Sequence, residues 1–279
     1  MAGMGEQGAR MTARSRPKFP LQLDRLSGRA AVSAKTVLRP QRDLAAAHAD
    51  AGRRSAPAGL GLDSADVRRR MSERLRDGGI SQPLVLEAFA NVPRHLFVDA
   101  ALATQAYEDT SLPIGHEQTI SKPSVVARML EMLFDGANAR QKGNLGTVLE
   151  IGTGCGYQAA LLSELAVSVI SMERLKPLHD KARSLLAPMR SNRLRLVHGD
   201  GMIGHAPGAP YDSVIAAASS DSMPQAWLEQ LAVGGRLVAP VEQGDRGQAL
   251  VVVDRREDGY ARHVYESVRF VPLKSGLAG

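Results

Sequence analysis

The fold class predicted by these 279 residues is α/β: a Rossmann-like, mostly parallel sheet with a C-terminal antiparallel element, preceded by an N-terminal helical cap. Three observations predict it. From Gly146 to about Leu237, apolar strand-like runs alternate with helix-like segments, the pattern of a parallel sheet with helices on both faces. The first of these runs ends in a turn with three glycines at alternate positions, Gly152, Gly154 and Gly156. Two β-rich runs then flank Asp258-Gly259, which is a hairpin signal.

Residues 1–62 are rich in Arg, Ala, Gly, Ser and Pro, with one short apolar patch around Phe19 to Leu23. So little apolar surface does not offset the entropy of ordering, and the segment is expected to be a disordered basic extension. Its charge alone would support non-specific contact with nucleic acid or an anionic surface, and it superficially resembles a transit peptide. The domain proper is expected over 63–279, divided into a helical cap and substrate loop (63–145) and a cofactor-binding sheet (146–279).

Asp63 or Ser64 is the candidate N-cap of a first helix, which carries Val67, Met71 and Leu75 on one face and stops at Gly78-Gly79. A second helix spans 82–90 and closes at Val92-Pro93, and a third spans 124–134 after Lys122-Pro123. Strands are then expected at 147–151, 168–172 and 193–197, with helices at 157–165 and 176–187. Further strands fall at 212–217, 235–241, 249–255 and 260–268.

Composition narrows the class of function. No apolar stretch approaches the roughly 18 residues needed to span a bilayer, and no compact apolar segment marks a secretory signal. A single cysteine, Cys155, excludes an internal disulfide and agrees with a cytoplasmic setting. The formal charge of +6 belongs to the extension. Residues 1–62 hold 11 of the 35 Lys+Arg and 4 of the 29 Asp+Glu, a balance of +7; the remaining 24 basic and 25 acidic residues balance at −1. No specific nucleic-acid partner is therefore expected of the folded part. The seven histidines lack ligand spacing, so no metal site is expected. Trp227 fits a core-facing helical position.

In a doubly wound sheet, ligands sit beyond the carboxyl ends of the strands, where the glycine loop falls. The loop is not the dinucleotide fingerprint G-x-G-x-x-G. Glu150 stands just before it, where a carboxylate would repel a pyrophosphate. Glu173 closes the second strand of the sheet, where an acid commonly takes ribose hydroxyls, and Asp200 follows the third, within reach of an adenine amino group. Three acids with little phosphate-binding chemistry suit a nucleoside bearing positive charge, and S-adenosylmethionine is such a molecule.

Here the sequence resembles the protein-L-isoaspartate O-methyltransferase family, from about Val67 to Leu273. The matching stretches are NVPRHLFVD (91–99), LPIG (112–115), QTIS (118–121), VARM (126–129), VLEIGTGCGYQ (148–158), HGDG (198–201), GGRLVAPV (234–241) and VRFVPL (268–273). The resemblance implies methyl transfer from S-adenosylmethionine to the α-carboxylate of L-isoaspartyl residues in damaged proteins and peptides. A monomer is expected. It also implies Ser121 as the active-site serine, with Ile114, Gln118, Thr119 and Ile120 on the substrate side. Glu150, Gly152, Thr153, Gly154, Gly156, Glu173, Asp200 and Gly201 are implied on the cofactor side. His116-Glu117, Cys155 and Ala218-Ser219-Ser220 depart from the usual pattern. Two other readings stay open: a methyltransferase acting on RNA or a small molecule, and a cofactor-binding scaffold without activity.

Overall fold

The computed structural model describes residues 65–189 and 191–278. The expected disorder of 1–62 and the candidate caps Asp63 and Ser64 lie outside the described residues. Helix α1 (Ala65–Asp77) turns Met71 and Leu75 inward, and α2 (Pro83–Asn91) starts on a proline at its first turn, where no amide hydrogen is missed. Two 3₁₀ turns, Arg94–Phe97 and Ala100–Gln105, lead into a small antiparallel hairpin of β1 (Leu112–Gly115) and β2 (Gln118–Ile120). Helices α3 (Pro123–Phe134) and α4 (Ala137–Lys142) complete the cap.

The main unit alternates β3 (Thr147–Ile151), α5 (Tyr157–Leu165), β4 (Ser168–Glu173), α6 (Lys176–Leu186), β5 (Leu194–His198) and β6 (Tyr211–Ala216). It ends with α7 (Gln225–Glu229), β7 (Leu231–Glu242), β8 (Gln248–Arg256) and β9 (Gly259–Ser267). The seven strands are ordered β5-β4-β3-β6-β7-β8-β9; the first five in that order are parallel, and β8 and β9 add the antiparallel edge. Both features of the expected sheet are present. The order reverses between β3 and β6, which opens a crevice at their carboxyl ends.

Alternation along each strand divides the core between two faces. Val148, Val169, Ile215 and Val238 pack with the cap helices, α5 and α6, whereas Leu149, Ile151, Val214 and Leu237 pack with Trp227. Trp227 is fully buried, and its indole donates to Gly201 O at 2.7 Å. The third glycine of the loop, Gly156, serves this packing: at φ +94° a Cβ there would lie 2.8 Å from Leu186 Cδ1. Glycine lets α5 and α6 approach.

The β1–β2 hairpin and helix α4 have no counterpart among the elements read from the sequence, and the expected strand at 235–241 starts earlier than expected. The β1–β2 hairpin is too short for a period, and its position rests on a tertiary contact, Lys181 Nζ to Ile114 O at 3.1 Å. Helix α4 is six residues long, too short to hold by propensity alone. It is anchored where Asn138 Nδ2 donates to Asp212 Oδ1 (2.8 Å) and to Val233 O (3.0 Å). Strand β7 begins at Leu231, before the Gly234-Gly235 pair that suggested a later start.

Candidate active site

A cavity of about 410 Å³ opens at the carboxyl ends of β3, β4 and β6, within the usual range for small-molecule sites. Most of the expected residues line it. The hairpin side supplies Ile114, Gln118, Thr119, Ile120 and Ser121; the sheet side supplies Gly152, Thr153, Gly154, Glu173 and Gly201. The two sides meet closely, since a Cβ on Gly154 would lie 3.2 Å from Ile114 Cδ1.

The glycine loop is held from beneath. Gly152 N and Thr153 N both donate to Met172 O, and Gly154 N donates to Glu173 Oε2 at 2.9 Å. Glu173 Oε1 accepts from Leu175 N at 2.9 Å, so each carboxylate oxygen keeps lone-pair capacity towards the cavity. Gly152 and Gly154 have φ of +89° and +55°, conformations that side chains disfavour. At Gly201 a Cβ would lie 2.5 Å from Ile151 Cγ2, so glycine keeps this wall low.

Three expected residues lie outside the lining. Gly156 is the packing glycine described above. Glu150 is fully buried behind the loop, on the face of β3 that turns towards α5, and accepts a short hydrogen bond from Ser171 Oγ. Burial pushes its carboxyl up to about 8. Asp200 caps the following turn through Met202 N (2.9 Å), and its other oxygen accepts from Gly276 N (2.6 Å).

That last bond belongs to a feature the sequence did not reveal. Val271 to Lys274 cross the cavity as a strap. Ser219 N donates to Val271 O (2.8 Å), Leu273 N donates to Ser219 O (2.7 Å), and Ala278 N donates to Arg174 O (3.0 Å). The departure at Ala218-Ser219-Ser220 thus has a physical role, because a proline at 219 could not donate to Val271. At the hairpin tip, His116 and Glu117 both take left-handed conformations, with φ of 53° and 59°. Such residues cost on the order of 1–3 kcal/mol each and cluster at functional sites. Cys155 is buried and its thiol is pushed up to about 11 by burial, so it is no thiolate.

Arg94 was also missed as a functional residue, although it stands within NVPRHLFVD. It is fully buried, and the causes of its lowered pKa begin with that burial. Its Nε donates to Ala106 O (2.8 Å), and its Nη2 donates to Ser121 O (2.7 Å) and Thr110 O (3.4 Å). The guanidinium also lies 4.9 Å from the centre of the Tyr157 ring, at the start of α5. One side chain therefore fixes Ser121 relative to the helix that follows the glycine loop.

The switch-point crevice, the glycine cradle and the acid at the end of β4 together define an α/β methyltransferase of the Rossmann-like kind. Residues 66–278 match the family model described as protein-L-isoaspartate(D-aspartate) O-methyltransferase. A protein-L-isoaspartate O-methyltransferase of Methylibium petroleiphilum is 57% identical over 267 residues, covering 94% of this chain and 97% of that relative. One from Leptothrix cholodnii is 60% identical over 242 residues, covering 86% and 84%. A solved protein-L-isoaspartate O-methyltransferase superposes with a TM-score of 0.67 at 26% identity, covering 75% of this chain and 67% of the other. A Plasmodium falciparum structure described as a putative member, in complex with S-adenosyl-L-homocysteine, shares the fold with a TM-score of 0.64 at 22% identity, covering 74% and 98%. The chain belongs to the protein-L-isoaspartate(D-aspartate) O-methyltransferase family, and it is an enzyme.

The role of Arg94 yields a prediction. In Arg94→Lys the charge stays but one ammonium cannot serve three spread carbonyls. The variant should lose about 2–3 kcal/mol of stability, on the scale of hydrogen bonds to charged groups. It should also methylate isoaspartyl peptide with a lower kcat/KM. Denaturant titration and steady-state kinetics check both; wild-type stability in the variant would refute the brace.

Proposed function

We propose that the hairpin side of this cavity holds the isoaspartyl residue and the glycine-loop side holds the methyl donor, so that the two are joined in line. The enzyme is a protein-repair methyltransferase acting on the α-carboxylate of L-isoaspartyl residues, with S-adenosylmethionine as methyl donor. The resulting ester closes to a succinimide, which hydrolyses in part to normal aspartyl. The observation that carries the residue-level reading is that Ser121 and Gly152–Gly154 face one cavity.

The chemistry asks little of the side chains. A carboxylate with an ordinary pKa near 4 is ionised at pH 7 and needs no general base. The cofactor supplies an electrophilic methyl group on a sulfonium. The protein's task is to orient the carboxylate and exclude water, which together are worth roughly 7–11 kcal/mol in well-aligned pairs. In this reading Ser121 Oγ and nearby N–H groups, with Gln118, Thr119, Ile120 and Ile114 around them, aim the carboxylate. Glu173 takes the ribose hydroxyls, and Gly152, Thr153, Gly154 and Gly201 let the nucleoside approach the backbone. Asp200, engaged by Met202 and Gly276 here, would position the strap beside the base. Glu150 acts from behind the loop.

The catalytic unit proposed is 63–279, which the family match over 66–278 supports. Among the described residues no helix is long and apolar enough to cross a membrane. A cytoplasmic monomer is the form proposed, the compartment on the single cysteine.

Four outcomes follow. Glu173→Ala should weaken S-adenosylmethionine binding by about 1.5–3 kcal/mol, the worth of hydrogen bonds to a charged group; unchanged affinity by calorimetry removes it from the ribose. Ser121→Ala should slow turnover of an isoaspartyl peptide about tenfold to a few hundredfold with cofactor affinity nearly intact, since one orienting bond is lost. An aspartyl peptide, whose carboxylate sits one methylene further out, should stay a poor substrate throughout; equal methylation of the two peptides would overturn the substrate assignment. A chain starting at residue 63 should keep the activity and melting temperature of the full chain, and a large fall in either would give the extension a structural part.

A further inference from the structure

A carboxyl on the apolar face of β3 needs a reason. Glu150 stands beside Ser171 on β4 and Ile215 on β6, on the face that also carries Val148 and Val169. It is fully buried, as is Ser171. Ser171 Oγ hydrogen-bonds Glu150 Oε2 on one side and Thr153 Oγ1, at 2.6 Å, on the other. Thr153 lines the cavity. Three side chains therefore form a continuous chain from a buried acid, through the glycine loop, to the cavity wall. Among the described residues, Glu150 Oε1 and the buried Nε2 of Gln158, on α5, form no hydrogen bond of normal geometry, although the amide lies near enough to act on the carboxyl. A buried carboxylate left half-satisfied is costly in its ionised form.

We propose that Glu150, Ser171 and Thr153 form a polarity relay, in which the protonation state of the buried carboxyl decides whether Thr153 offers the cofactor an acceptor or a donor. The proposal rests on the reading of this cavity as the S-adenosylmethionine site.

The relay follows from counting hydrogens. A hydroxyl donates once and accepts through two lone pairs. With Glu150 ionised, Ser171 must donate to it. Thr153 then donates to Ser171, and the outward side of Thr153 Oγ1 carries only lone pairs. With Glu150 protonated, its O–H donates to Ser171, Ser171 donates to Thr153, and the Thr153 hydrogen is free to turn into the cavity. A positively charged ligand favours the first arrangement. Its binding draws the proton off Glu150 to solvent, and conversion of the sulfonium to a neutral thioether lets the carboxyl take a proton back from solvent. Glu150 is thus a positioning residue that responds to the charge on sulfur.

The surroundings agree. The elements packed against Glu150 bring Ser171 and Glu173 from β4, Ile215 from β6 and Gln158 from α5. Burial raises its pKa from 4.5 to about 8, the bond from Ser171 and the amide of Gln158 oppose the rise, and the Glu173 charge adds to it. The folded protein therefore binds more protons than the unfolded chain between these two values. The contribution of this group to stability is complete below about pH 4.5 and is lost as pH rises towards 8.

The test uses the full chain as wild type, E150Q and S171A. Without cofactor, the unfolding constant of wild type should rise with pH between 5 and 8 by at least about tenfold more than that of E150Q. Parallel slopes would overturn the protonated carboxyl. Calorimetric titrations at pH 7 in two buffers of different ionisation enthalpy then count protons released on binding S-adenosylmethionine and S-adenosylhomocysteine. Wild type should release about half a proton or more in excess for the cationic ligand over the neutral one, beyond any excess in E150Q. S171A, which leaves Glu150 in place, should lose most of that excess. The double difference cancels protons belonging to the ligands themselves. An equal excess in wild type and E150Q overturns the proposal, and should E150Q not fold, a full excess in S171A does so. Failure of both ligands to bind wild type would overturn the cofactor reading and this coupling with it, while the cofactor-free slope would still report on Glu150.

Discussion

A buried guanidinium bonded to backbone carbonyls is the constraint on which the site depends. Arg94 directs Nε and Nη2 to the carbonyls of Ala106, Thr110 and Ser121 and sets its guanidinium over the face of Tyr157, while its buried Nη1 makes no hydrogen bond of normal geometry among the described residues. A buried cation tolerates little displacement of its acceptors, because each lost bond leaves a desolvated charge. The segment carrying Ser121 is therefore held at a set distance from α5. The glycine loop is tied in turn to β4 by Met172 O and Glu173. The hairpin side and the glycine-loop side of the cavity become parts of one rigid frame, although about 30 residues of helix and turn separate them in the chain.

Such a frame suits a reaction whose nucleophile is already ionised. No proton has to be removed before attack, so the gain comes from alignment and exclusion of water. The polar groups around the cavity are accordingly anchored by backbone bonds. Glu173 uses both oxygens on main-chain amides, and Asp200 does the same with Met202 and Gly276. The strap formed by residues 271–274 adds a wall of mixed polarity above the strand ends. It is bonded to the departure at Ser219, and Ala278, further along the chain, donates to Arg174 O.

The acids that seemed equivalent in the sequence do three different jobs. Glu173 meets the cavity, Asp200 holds a turn and the strap, and Glu150 lies behind the loop with a raised pKa. Their positions at or beside strand ends look alike, but alternation along a strand and the local twist decide which way each carboxylate points. That choice separates a carboxylate that lines the cavity from one that serves as a structural tie.

By itself the sequence determined the sheet, the five parallel strands and their helices, the glycine turn, and the Asp258-Gly259 hairpin. Those follow from apolar period and turn chemistry, which act over a few residues. It also carried the family, through stretches such as QTIS and NVPRHLFVD. Only the tertiary structure decided where β1, β2 and α4 form, because they are too short to persist without Lys181, Asp212 and Val233 from distant parts of the chain. The same holds for Arg94 as the brace, Gly156 as a packing residue, the strap over the cavity and the Glu150–Ser171–Thr153 chain. Each depends on contacts between residues far apart in sequence, and such contacts leave no period or spacing to read.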